Sequence, residues 1–253
     1  MNKLDYDLLS QYIDDYVVAP FYQKRTEKLE TLKLQTILKR KNPYLFKAKN
    51  IQTAGDFAND ILNAHLSSQE ETIFGDLLEG LAIHINATVY GGKKAEERTY
   101  KSLDLIFEKE GVRYAVGIKS GPNWGNSDQI STMKNNFKKA RELFRADGWA
   151  GEVICVNGCI YGKDGRPHKV NTDPEKTYYK YCGQEFWDLV SGDPDLYQKI
   201  IVPLDREVKK RDDRFKELCT AASNRLTKDL LDNFSNDGVL DWAGILDFVS
   251  KKA

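Results

Sequence analysis

Only four cysteines, three histidines and two methionines occur in the 253 residues, and the formal net charge is zero. Cys155, Cys159, Cys182 and Cys219 lack the paired short spacings of a zinc site and are too sparse for a disulfide framework, so a reduced cytoplasm is the expected setting. The histidines are scattered along the chain and form no motif. No apolar run approaches the roughly 20 residues that span a bilayer. The stretch Met1 to Asp7 has no apolar core, so nothing points to secretion. Internal repeats and low-complexity linkers are absent as well, while the length suffices for a sizeable core.

What the chain does have is uneven charge. From Pro20 to Asn50 there are nine Lys or Arg residues against Glu27 and Glu30, and from Gly111 to Arg145 seven face Asp128 and Glu142. Local positive excess is what polyanion binding requires, whatever the global sum, although a solvated helix face reads the same way.

Residues 102–120 organise the rest. Ser102-Leu-Asp-Leu-Ile-Phe and Val112 to Ser120 are β-rich runs separated by a polar stretch ending in Gly111, which supplies the left-handed backbone of a tight reversal. Alternation puts Asp104 with Ser102 and Ile106, Gly117 with Lys119, and Tyr114, Val116 and Ile118 on the core face. If the two polar faces coincide, a carboxylate and an ammonium lie side by side, a pairing that suits a metal ion, a water and a phosphate. An ordinary cross-strand ion pair is the alternative.

Around this hairpin, helical spacing is expected over 4–18, over about 21–40 and from Thr53. Ser68-Gln-Glu-Glu71 reads as a capping box opening a separate helix to about His84. In that helix Gly75 permits close packing and Glu79 follows about one turn later. A short strand is expected at Ala87–Tyr90 and a loop at Lys93–Arg98. Ser120 to Asn126 is a turn-rich loop in which Trp124 either packs or contacts a ligand. The helix that follows carries Lys134, Lys138, Arg141 and Arg145 as a stripe. Glu152–Asn157 is a buried-type strand pairing in parallel, with a hairpin turning at Asp164-Gly165 and a later strand at Tyr178–Tyr181. Asp241 caps a last helix.

This order, with Asp on the second strand and Lys on the third, resembles the PD-(D/E)XK nuclease pattern. In detail Asn42-Pro-Tyr-Leu-Phe46, Ser68 to Gly80, Asp104, Ile118 to Asn126 and Gly183 to Trp187 resemble the PmeII-type group of type II restriction endonucleases over roughly residues 20–235. The resemblance implies an α/β fold, with a mixed central β-sheet flanked by helices and helical N- and C-terminal extensions. The divisions expected are 1–66 for DNA backbone contact or dimerisation, 67–200 for the nuclease core and 201–253 for a C-terminal helical region, all in one compact unit. It implies a homodimer in a prokaryotic cytoplasm that cuts double-stranded DNA at a short palindrome, GC-rich and with an unspecified centre, beside a cognate methyltransferase. A junction-resolving or repair nuclease and a catalytically degenerate DNA-binding protein are the alternatives.

Phosphodiester hydrolysis brings hydroxide to an anion and needs a hard cation held by oxygen atoms. Asp104 and the carbonyl of Ile118 are the first candidate ligands for Mg²⁺, with Mn²⁺ as a substitute, and Lys119 is the candidate to orient water or stabilise the transition state. Gly117 departs from the motif, which has Asp or Glu there. Glu79 is favoured as the replacement, on its likeness to the acidic helix of many relatives, over Glu71, Asp76 and Asp128. Gln129 is a candidate for the scissile phosphate or a water. Ser120, Asn123, Trp124, Asn126, Lys134, Lys138 and Arg141 are the candidate DNA contacts.

Overall fold

The computed structural model describes residues 2–205 and 208–252. In chain order the first elements are α1 (Tyr6–Ile13), a π-helical turn (Asp14–Val18), α2 (Ala19–Glu30), α3 (Leu34–Leu38), α4 (Pro43–Ala48) and α5 (Ala54–Tyr90). The β-rich part follows with β1 (Lys93–Lys94), β2 (Leu105–Lys109), β3 (Val112–Lys119), α6 (Ser127–Ala146), β4 (Val153–Cys159), β5 (His168–Lys169) and β6 (Tyr178–Cys182). The remainder is α7 (Gln184–Ser191), α8 (Leu196–Lys199), α9 (Ile201–Leu204), α10 (Val208–Phe234), β7 (Ser235–Asn236), β8 (Val239–Leu240) and α11 (Trp242–Ser250). Two units divide this chain, Met1–Val18 with Gly75–Arg206, and Ala19–Phe74 with Glu207–Ala253. None of the described helices is long and apolar enough to cross a membrane.

The first unit holds a six-stranded mixed sheet in the order β1-β2-β3-β4-β6-β5, the mixed central sheet flanked by helices that the sequence leads one to expect. β2 and β3 form the antiparallel hairpin, with Leu105 opposite Val116 and Lys109 opposite Val112. Glu110 and Gly111 both adopt positive φ, 54° and 79°, the geometry that matches a two-residue turn to strand twist. β4 runs parallel to β3, Gly117 opposite Asn157 and Lys119 opposite Cys159. One face of the sheet is sealed by α6, whose Met133, Phe137 and Phe144 cluster with Ala115 and Cys155. On the opposite face Phe186 of α7 lies over Gly158, beside Val116. Both faces of β3 are therefore covered, not just the Tyr114–Val116–Ile118 face: Ala115 and Gly117 are buried too.

Several local expectations give way. Ser68 opens no helix; α5 runs unbroken for 37 residues through it and through Ala87–Tyr90. The Ser68 hydroxyl donates back to the Ala64 carbonyl at 3.0 Å, the mid-helix alternative to capping. The helix ends instead on left-handed Gly91 (φ 74°), whose N–H reaches the Ala87 carbonyl at 3.0 Å. Lys93–Lys94, expected as loop, is an edge strand on β2. No hairpin turns at Asp164: its carboxylate accepts from Arg166 N and Lys169 Nζ, both at 2.9 Å, closing a local loop, and β5 pairs with β6 while β4 pairs with β6 in parallel.

The second unit is helical. Its core joins Leu29, Leu34, Ile37, Phe57, Leu226 and Ile245. The expected helix over 21–40 breaks between α2 and α3, because Leu32 and Leu34 are both buried and would lie about 200° apart on one helix. Arg25 sits inside this unit, its guanidinium 3.5 Å from the Phe215 ring centroid and 2.9 Å from Glu70.

The contact of Gly158 with Phe186 leaves no room for a side chain, since an added Cβ would lie 2.5 Å from the ring. Gly158→Ala is expected to lower unfolding stability by about 1–3 kcal/mol, read from the midpoint of urea denaturation.

Candidate active site

Asp104 precedes β2 between buried Leu103 and Leu105, which fix its place at the sheet. Its N–H donates to the Val116 carbonyl at 2.8 Å, and its carboxylate Oδ2 accepts the Ile118 N–H at 2.6 Å. Lys119 closes β3, its ammonium donating to the Ile118 carbonyl at 2.8 Å and standing 5.4 Å from the Trp124 ring centroid. Asp104 and Lys119 thus form no ion pair; each holds one polar group of the Ile118 backbone.

Glu79 joins them from α5. Burial raises its carboxyl pKa above the ordinary value and the nearby Asp104 charge raises it further, while Lys94 and Lys119 oppose the shift. The Lys94 ammonium is 3.8 Å from Glu79 Oε1. Helix and sheet end approach closely because position 75 is glycine: a Cβ there would overlap the Ser120 hydroxyl. Asp76 is exposed one turn from Glu79, and Glu71 belongs to the other unit. Among the described residues no three His, Cys, Asp or Glu side chains cluster closely enough to make a metal cage.

The start of α6 forms another wall. Asn126 caps it, Oδ1 accepting from Gln129 N at 3.0 Å while Gln129 Oε1 accepts from Asn126 N at 2.9 Å. Lys119, Trp124, Asp128, Gln129, Gly117 and Asn157 line a cavity of about 640 Å³. Asn157 is 1% exposed and its Oδ1 has no partner; the Trp124 indole N–H is likewise buried and unpartnered. Gly117 has no space for the usual carboxylate, since a Cβ would lie 2.8 Å from the Ser102 carbonyl oxygen.

The family model of type II restriction endonuclease EcoO109I matches residues 7–212, most of the chain. The chain belongs to this family. Type II restriction endonucleases are site-specific deoxyribonucleases, so DNA is the substrate, and as a class they generally use divalent metal ions. No individual curated protein matches the chain.

In this restriction endonuclease, Glu79, Asp104, Ile118 and Lys119 come together, and Gln129, Trp124 and Asn126 border the same lysine. Ser120 and Asn123 are exposed on the loop between β3 and α6. The basic stripe on α6 is not one solvated face. Lys138 pairs with Asp173 at 3.0 Å and Arg145 with Glu175 at 2.9 Å, holding both carboxyls below their ordinary pKa. Arg141 is buried, donating to the Glu175 carbonyl and, at 2.8 Å, to the Thr177 carbonyl. Lys138 and Arg141 therefore anchor segment 173–177, and Lys134 remains half-buried without an ion pair among the described residues. Sequence reasoning missed Asn157 and Lys94. The signal for Asn157 was a lone amide in the otherwise apolar Val-Ile-Cys-Val-Asn-Gly-Cys run.

Rebuilding the usual motif is expected to fail on steric grounds. Gly117→Ala should cost about 1–3 kcal/mol through overpacking, and Gly117→Glu at least as much with no gain in DNA hydrolysis, checked by thermal unfolding and a plasmid-nicking assay.

Proposed function

We propose that this restriction endonuclease hydrolyses duplex DNA with Mg²⁺, for which Mn²⁺ substitutes, at a site built from Asp104, Glu79, the Ile118 carbonyl and Lys119. The observation that carries the reading is the Asp104 carboxylate seated on the Ile118 N–H, which fixes it beside that residue's carbonyl at the end of β3. The donors are all oxygen and number two carboxylates and a carbonyl, a set that fits Mg²⁺, which keeps several waters and needs few protein ligands. The mutual repulsion of Glu79 and Asp104 supports the same fit. A divalent cation there would neutralise phosphate charge and acidify water.

The protein's own groups do the rest. Glu79 and Asp104 supply negative oxygens at fixed positions, and the Lys119 ammonium faces the charge that develops on the phosphoryl oxygens. Lys119 must leave the Ile118 carbonyl when that oxygen is needed, and it needs another acceptor. Asn157 Oδ1 supplies it: residues 119 and 157 share a face of adjacent strands, about 8 Å apart between Cα atoms by strand spacing and rise, within reach of a lysine. Palindromic cleavage by a homodimer fits two identical sites related by a twofold axis. The narrower likeness to the PmeII-type group favours a GC-rich, interrupted palindrome and a methyltransferase as genetic partner in a prokaryotic cytoplasm.

The test is incubation of purified protein with long unmethylated duplex DNA, with Mg²⁺ or EDTA, and sequencing of the ends. Discrete Mg²⁺-dependent fragments are expected, and Asp104→Ala should cut at least about 100-fold more slowly while still binding target duplex. Specific binding without turnover in either metal would favour a degenerate DNA-binding protein, the reading that Gly117 invites.

Asn157→Leu separates positioning from structure. Removing an unpaired buried acceptor should leave stability equal or higher, yet single-turnover cleavage should fall about 10-fold or more. A Leu variant as fast as wild type would remove Asn157 from the site.

A further inference from the structure

The helical unit carries a second cluster of chemistry that cleavage does not use. Between α2, α3 and the part of α5 in that unit lies a cavity of about 560 Å³, lined by Lys28, Lys33, Arg40, Lys41, His65 and Gln69 together with hydroxyl and leucine side chains. No carboxylate lines it, and none of its four Lys and Arg residues is in an ion pair among the described residues. Buried Leu29, Leu32, Leu34, Ile37 and Leu38 hold the cation-bearing segments in place. Lys41 is fixed, donating to the Ala64 carbonyl at 2.6 Å and the Ser68 hydroxyl at 3.0 Å. The Gln69 amide Nε2 is buried there without a partner. Burial lowers the His65 pKa and the charges of Lys41, Arg40 and Lys28 lower it further, against a hydrogen bond with Gln69 that raises it, so the cations act on a common space.

We infer that this cavity binds backbone phosphates of duplex DNA, as a contact site built from Lys28, Lys33, Arg40, Lys41 and Gln69 in the helical unit. The fold brings four cations together with no internal counter-charge, which costs repulsion that an external polyanion relieves. Donors without acceptors suit phosphate oxygens, which only accept. The volume holds more than one phosphodiester group, and a lining of Lys and Arg charge with no aromatic stacking face matches backbone contact. The inference rests on the nuclease reading for its choice of DNA, and its test is arranged to fail separately.

The experiment measures binding of a fluorescent 30-mer duplex to the full-length protein in EDTA across a salt series, for wild type, Lys33→Ala/Arg40→Ala and the control Lys251→Ala, whose lysine is paired with Asp247. The double variant is expected to lose affinity equally for target and unrelated duplex, and its slope of log K against log salt should fall by about two. A slope equal to that of the control overturns the assignment. So does displacement of the duplex by AMP at equal phosphate concentration, which would mark a mononucleotide site. If the double variant lowers the slope by about two but no DNA is ever cut, the cavity stands and the nuclease reading falls; cutting with a slope equal to the control's gives the reverse.

Discussion

Residue 104 is held at two points by β3, its N–H on the Val116 carbonyl and its carboxylate on the Ile118 N–H. A hydrogen bond from a backbone amide to a charged carboxylate is worth about 1.5–3 kcal/mol. The Asp104 carboxylate takes that bond, and the Lys119 ammonium takes the carbonyl of the same residue. The rest of the site is arranged about the backbone of that one residue: Glu79 arrives on a helix that can come close because Gly75 lacks a side chain, and Asn157 on β4 lies opposite Gly117.

Gly117 follows from the same constraint. The chain enters β2 so closely against β3 that the Ser102 carbonyl occupies the space a Cβ at 117 would need. A carboxylate cannot stand there without moving the strand that positions Asp104. In the site proposed above, Glu79 on α5 supplies the second carboxylate and Asn157 on β4 an amide. Steric exclusion by the Ser102 carbonyl is a physical reason for glycine at 117.

The hairpin and the parallel β4 depend on neighbours in sequence or on strand period, and they were legible for that reason. The extent of α5 was not, because Ser68 and the Thr88-Val89 pair carry local signals for a cap and a strand that helix continuity overrides. The pairing of β5 with β6 was hidden by Asp164, whose carboxylate closes a loop by contacts that composition does not reveal. Arg141 looked like one more wet cation at helical spacing; only the carbonyls of residues 175 and 177 make it a buried anchor. Asp104, Glu79 and Lys119 could be named from pattern and kinship, but the relation of Asp104 and Lys119 through the Ile118 backbone is tertiary.

The charge around that backbone bears on how the proposed site would meet a phosphate. Glu79, Asp104 and Asp76 bring negative charge and Lys94 and Lys119 positive, so the groups acting at Glu79 leave one net negative charge. A carboxylate at position 117 would add to the repulsion of the phosphodiester, at distances where a unit charge pair is worth several kcal/mol in a partly buried site. An amide at 157 adds acceptor capacity without that charge. The same logic sets the limit on the arrangement: with fewer fixed anions, affinity for a hard cation depends more on the oxygens the phosphate itself brings, so substrate and cation are expected to favour each other's binding.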